Sequence, residues 1–385
     1  MFTVRWGHLT DFSFHPLRLS SSIPISFIQV LHPKPQILFS RSAILTPKSA
    51  IRSFLLPCLF LLFSGAALAA PISITSIEDL QKIGNDPAYP LDGGYILTQD
   101  VDAAETAGWN GGAGFNPIGK DTLPFTGTFN GQAHIIYNLM IDLRGKIDVG
   151  LFSYVSSEGR VENLGLVNGS IVGSSDVGGL VGENNGSIER CFTSCTVFGS
   201  FRAGGLIGMN SGNVEQCYAT SAVSGHSDLG GLMGWNGGNV QQCYATGAVT
   251  GNISACYVGG LIAQNTGTVM QCFATGRTYG GDTLGGLVGT NYASGSVTQC
   301  YARGAVLGSI HLGGLVAYAE NDQVYASFWD TQTSEQALSD GGIGITTDQM
   351  LQSTTFTEAE WDYSQVWTQT DGETIPYFLF SSAPA

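Results

Sequence analysis

Five cysteines stand where chemistry would first be sought: Cys191, Cys217, Cys243, Cys272 and Cys300, spaced by 26, 26, 29 and 28 residues. Four of them open near-identical phrases, CYATS, CYATG, CFATG and CYARG. A nucleophilic thiol is needed once, and a disulfide framework uses varied spacings, so this recurrence marks a structural period. Cys191 and Cys195 form a lone C-x-x-x-C with no histidine near it, a poor zinc ligand set. Asp100 and Asp102 alternate along LTQDVDAAE and so share one face of a strand. They could supply half of an acid pair for glycosidic cleavage, or a Ca²⁺ site with Glu105; solvated acids at the edge of a cap are the plainer reading. His134, His226 and His311 occupy different repeat positions, and no H-E-x-x-H or G-x-S-x-G is present. No cofactor is expected, calcium being the one alternative.

The elements that must position these residues follow from the period. GGLVG at Gly178 returns as GGLIG, GGLMG, GGLIA, GGLVG and GGLVA from Gly204, Gly230, Gly259, Gly285 and Gly313. Asn184, Asn210, Asn236, Asn265 and Asn291 each stand two residues beyond that phrase. The segments are short, rich in Val, Ile and Tyr, and bounded by N-x-G-type turns, which is strand chemistry; a helical solenoid would show a 3.6 period and few glycines. Three strands and three turns fill a 26–29-residue unit. The expected fold is all-β, a right-handed parallel β-helix in which each strand pairs with its equivalent one coil away.

The less regular early coils set side-chain direction. Aligning IIYNLMI and VENLGL with IERCFT puts Leu139 and Leu164 in the Cys column, and Ile141 and Leu166 in that of Ala219, Ala245, Ala274 and Ala302. Both columns therefore face inward, and the cysteines are stacked small core residues. Parallel Cβ vectors and an odd count of seven cysteines beyond residue 69 disfavour disulfides, although an exported protein meets oxidants. The residue between the columns (Phe192, Tyr218, Tyr244, Phe273, Tyr301) faces out. Tyr218, Tyr244, Phe273 and Tyr301 then form a row that could bind a ligand or simply stabilise the stack. The asparagines are expected as a turn ladder of amides. Beside the Leu of each GGL lies a second apolar residue (Val181, Ile207, Met233, Ile262, Val288, Val316), and one of these two columns should point outward as an apolar stripe. Asp148, Asp176 and Asp228, with Asp282 close to the same place, read as turn formers, with a calcium ladder as the alternative.

Composition bounds the partners. The chain has 385 residues, 53 of them Gly, and only 12% are charged. Phe54–Ala69 is apolar, follows Lys48 and Arg52, and ends in A-x-A, the pattern of a secretory signal within a leader of residues 1–69. Without that leader, which holds six basic and one acidic residue, 9 basic face 29 acidic residues, a net of −20. Such acidity excludes nucleic acid as partner, and no membrane-spanning segment is expected after cleavage. Residues 70–125 are expected as a cap and leading segment, with SIEDLQKI from Ser76 as a capping helix. The β-helix is expected over 126–330, regular from 177. Residues 331–385 should form a C-terminal cap, where Trp361, Tyr363, Trp367 and Tyr377 cluster and TTDQM starts a short helix.

This order of phrases resembles the GLUG-motif repeat of bacterial exported and surface proteins. YILTQDVD, FNPIG and FTGTFNGQAHIIYNL precede the repeat, and SFWDTQTS, GGIGITTDQM and IPYF follow it, so the resemblance covers most of residues 72–380. It implies an adhesin-like, surface-associated β-solenoid, sometimes part of larger proteins that include immunoglobulin A peptidases, with no catalytic residues in the motif. The expected function is non-catalytic binding of extracellular glycan or protein surfaces; a polysaccharide-acting β-helix enzyme and a ligand-free stalk are the alternatives. The A-x-A site predicts an exported chain that begins at Ala70. Terminal sequencing that found residues before Phe54 on the exported protein would exclude it.

Overall fold

A computed structural model describes residues 70–252, 257–320 and 322–381. The leader and the expected cleavage site before Ala70 lie outside the described residues. The chain winds into a parallel β-solenoid of about nine turns. Its first face is a ten-stranded parallel sheet running from Ile72–Ile74 to Val324–Tyr325. Here Val161, Ile188, Val214, Val240, Val269 and Val297 stack in register and point inward, each at most 1% exposed. The second face carries the Cys and aromatic phrases, and the third is a seven-stranded sheet from Phe152–Val155 to Val316–Ala319. Winding begins at Ile72, which pairs with Tyr95, inside the segment expected to be a cap.

Two expectations about direction need correction. First, the GGL corner leaves no apolar stripe: Leu180 and Val181, Leu206 and Ile207, and Leu232 and Met233 are all fully buried. The backbone turns between them, so strict alternation fails there. The Leu206 carbonyl accepts from both Leu180 N–H (2.9 Å) and Val181 N–H (3.1 Å), a doubled bond that only a bend permits. Second, Leu166 pairs with Ile136, which places Leu164 but not Leu139 in the Cys column. Leu139 precedes Met140, the partner of Ser170, and so aligns with Cys195 and Ser221. Ile141 likewise joins Ile171 and Val197. Several inward columns per coil are apolar, so a pattern match can slip from one to another.

The cysteines do more than fill space. The residue before each of them, Arg190, Gln216, Gln242, Gln271 or Gln299, has φ of 50–53°, which breaks the strand at a tight bend. Sulfur repairs the hydrogen bonding there. Cys191 N–H donates to Cys217 Sγ (3.3 Å), Cys217 N–H to Cys243 Sγ (3.4 Å) and Cys243 N–H to Cys272 Sγ (3.4 Å). Each thiol donates to the carbonyl two residues back, as Cys243 does to Gln241 (3.1 Å). Ser327 ends the column by accepting from Cys300 N–H at 3.1 Å. All six described cysteines are free thiols.

The ends are closed. Helix α1 (Ile77–Lys82), N-capped by Ser76, buries Ile77 and Leu80 against the first coil. At the other end Ser339 accepts from Leu315 and Val316 N–H, Asp340 accepts from Ala319 N–H, and Ile343–Ile345 adds a strand to Phe328–Asp330. The buried Cys243 group predicts that Cys243→Ala costs about 1–3 kcal/mol, the price of an unmade buried hydrogen bond. Cys243→Ser costs less, because Ser327 already performs that role. Denaturant midpoints of the two variants check the order, and native alkylation of Cys243 at the rate of a free thiol would refute the burial.

Candidate binding face

The aromatic row leaves the second face away from the core, one ring per coil. Ring centroids lie 4.9 Å apart for Phe192–Tyr218, 4.8 Å for Tyr218–Tyr244, 4.7 Å for Tyr244–Phe273 and 4.9 Å for Phe273–Tyr301, with planes within 5° of parallel. Strand register alone imposes this step.

The row is not uniformly open. After Ile345 the chain folds back along the solenoid's flank through α2 (Thr347–Met350) and α3 (Ser353–Thr357). Phe356, Trp361, Trp367 and Phe378 then form a second core upon the row. Phe273 is 1% exposed, with Phe378 at 5.4 Å and Trp367 at 6.3 Å. Tyr301 is fully buried and its hydroxyl donates to the Pro376 carbonyl at 2.6 Å. Burial raises the phenol pKa of Tyr218, Tyr244 and Tyr301. The expectation of four solvent-facing rings is therefore corrected: Phe273 and Tyr301 are core, Tyr244 is half-buried with Phe378 at 6.2 Å, and Tyr218 remains half-buried at the open end. IPYF and the tryptophans signalled an aromatic cap, but nothing local in them says which face it covers.

Two further ladders run along the stack. Asn184, Asn210, Asn236, Asn265 and Asn291 are fully buried. Each amide nitrogen donates to the next amide oxygen, at 2.8, 2.8, 2.8 and 2.7 Å along the stack. Each oxygen from Asn184 to Asn265 also accepts the N–H two residues on, as Asn210 does from Gly212. A glutamine ladder escaped notice in the sequence: Gln216, Gln242, Gln271 and Gln299 link at 3.0, 3.3 and 3.1 Å, and Gln299 donates to the Glu360 carbonyl of the flanking segment. Its signal was present, a Gln before four of the five periodic cysteines.

The acids are spoken for. Asp100 accepts from Ile135 N–H at 3.0 Å and faces His134 at 3.1 Å; Asp102 accepts from Asn138 at 2.9 Å and Ala104 N–H at 3.0 Å. These bonds hold both carboxyls below their usual pKa, the opposite of what a general acid needs. Glu105 lies against Glu78 of α1, whose carboxyl pushes its pKa up. Among the described residues no group of three or more His, Cys, Asp or Glu is placed to hold a metal.

Asp148, Asp176 and Asp228 take φ of 53–57° at the same corner, where Asp and Asn tolerate a left-handed backbone. Arg202 fills that position between the last two and pairs with Asp176 at 2.7 Å, so the column is not a run of acids. Asp282 stands one residue before the column and faces His311 at 3.6 Å.

The comparisons bear on the repeat. A family model, "The GLUG motif", matches residues 280–307. Residues 280–307 therefore carry the GLUG motif. Over 131 residues the chain is 42% identical to halomucin of Haloquadratum walsbyi, 33% of this chain but only 1% of that protein. Among solved structures, the solenoid is similar to a candidate immunoglobulin A1 protease from Bacteroides ovatus, at TM-score 0.53 and 21% identity, over 81% of this chain and 93% of that one. A chain of an IgA1 protease aligns at TM-score 0.47 and 17% identity, over 66% of this chain and 21% of that one. The first of these shows a shared fold.

Burial of Asp148, with Asp176 and Glu183 near it, pushes its pKa up to about 6. The folded state then holds a proton that the unfolded state has released, so this group's contribution falls as pH rises from about 4 to 6. Asp148→Asn, which also tolerates positive φ, is predicted to raise the melting temperature at pH 7–8 and to give no gain at pH 4. Melting curves at both pH values check the sign.

Proposed function

We propose that this chain is a non-catalytic, exported surface solenoid that attaches to glycan or protein surfaces through its repeat body. The observation that carries the reading is the open end of the aromatic row. Phe192 and Tyr218 present parallel rings at a fixed step on a body locked by amide and thiol ladders. Flat rings held in register lose little entropy on contact, and repetition raises weak single-site affinity. The signal-like leader supports export, and the halomucin match supports a place at the cell surface. The described thiols support a passive role: Cys191, Cys217, Cys243 and Cys272 are buried with pKa pushed well up, so none is a ready nucleophile.

The test uses residues 70–385 against glycan, matrix-protein and cell-surface panels, scoring both retention and product release. Retention without turnover is expected, and Phe192→Ser/Tyr218→Ser should weaken it while leaving the melting curve cooperative. These two rings lie beyond the flanking segment, so their loss does not uncover its core. Product release from any glycan would point to an enzyme instead, and unchanged adhesion of the variant would make the row structural.

A further inference from the structure

A second concavity lies away from the row, where the outer sides of the second and third faces meet beyond the GGL corner. Close approach creates it: a Cβ on Gly208 would lie 2.3 Å from the Asp176 carbonyl carbon, so only glycine lets the two strands converge there. Over most of the solenoid this valley is filled by side chains such as Arg202, whose guanidinium reaches Asp176 and the Met209 sulfur. In one of the last coils small residues replace them. Register places Tyr257, Thr283 and His311 in consecutive coils on one wall, and Gln264, Thr290 and Tyr318 on the other. The filling drops at Thr283 and Thr290, leaving a cavity of about 370 Å³ that also receives Asp282 and Glu320.

We infer that this cavity is a binding site for a neutral glycan segment, with Tyr257 and Tyr318 as ring platforms and Thr283 and Thr290 as the polar floor between them. This rests on the attachment reading above and adds to the aromatic row a separate site for one ligand class. Tyr257 and Tyr318 are 39% and 46% exposed, and neither ring pairs with another ring among the described residues. They stand two coils apart, about 10 Å along the axis, on opposite walls. Platforms this far apart on opposite walls suit an extended chain whose rings reach both of them, and not one compact head group. Thr290 is 2% exposed, and its hydroxyl has no hydrogen-bond partner in the protein. That oxygen is closed to solvent, and a ligand hydroxyl or its bridging water satisfies it once the Thr290 side chain rotates toward the cavity. Asp282 and Glu320 accept hydroxyl protons at the rim and repel sialylated or uronic chains.

The experiment titrates residues 70–385 with maltotetraose, cellotetraose, mannotetraose, a sialylated trisaccharide and tetralysine, by calorimetry and by ligand-observed NMR. At least one neutral tetrasaccharide is expected to bind saturably, and Tyr318→Ala and Thr290→Val each to weaken it about tenfold, the loss of one good contact. Thr290→Val removes an unpaired buried hydroxyl at constant shape, so its stability should hold or rise, which separates lost binding from lost folding. Binding that survives Tyr318→Ala and Thr290→Val but fails in Phe192→Ser/Tyr218→Ser would overturn the site and leave the attachment reading standing. Binding of tetralysine or the sialylated sugar in place of the neutral chains, or of none of the five, would overturn it as well.

Discussion

Everything in this molecule depends on one constraint, that each coil repeats its neighbour's register at the strand spacing of about 4.8 Å. A parallel stack of like residues works only if each type gains from contact with itself. Asparagine does, because its amide is donor on one side and acceptor on the other; the Asn184–Asn291 ladder is closed by Asn291 donating to the Gly295 carbonyl. Cysteine does so at the bend, accepting an N–H from one coil while donating within its own. Aromatic rings do so by offset stacking. Charges do not, and the exceptions are instructive. Where Asp176 would meet another acid one coil on, Arg202 stands instead, and Glu162 and Glu189 are bridged by Arg160 and Arg190.

A stack with self-complementary faces has self-complementary ends, and exposed ends recruit further strands. The chain answers this with polar caps on backbone groups, Ser339 and Asp340 at one end and α1 at the other. The flanking segment meets a different need. Rings stacked outside the core expose apolar area in every coil, and Trp361, Trp367 and Phe378 remove the last part of that area from water. The cap is thus as much a cover for the second face as a stop for the last coil, and Gln299 bonded to Glu360 ties the two together.

How much of this was legible depended on whether a signal repeats. The period, the parallel solenoid and the inward Cys column followed from phrase spacing, because a column is written five or six times over. The outer position of Phe192, Tyr218, Tyr244, Phe273 and Tyr301 followed from alternation. Alternation failed at Leu180–Val181, since period-2 logic assumes a straight strand and the GGL corner bends. It failed for Leu139, since an early coil offers one copy and several inward columns are equally apolar. The burial of Phe273 and Tyr301 was not legible at all: the residues that cover them lie about 60 to 105 positions away in a segment that repeats nothing.

The same logic explains where binding surface can arise on such a body. A repeat that stacks well uses up its polar groups on itself, as the Asn, Gln and Cys columns do, and presents little to a partner. Ligand-ready groups must therefore come from positions that depart from their column. Thr290 is such a position, a buried hydroxyl without a partner between Gln264 and Tyr318, and Thr283 interrupts Tyr257 and His311 in the same coil. The two departures face each other across one valley, from opposite walls of a single turn. Facing each other in one coil, the two small residues open the valley together, which neither would do alone.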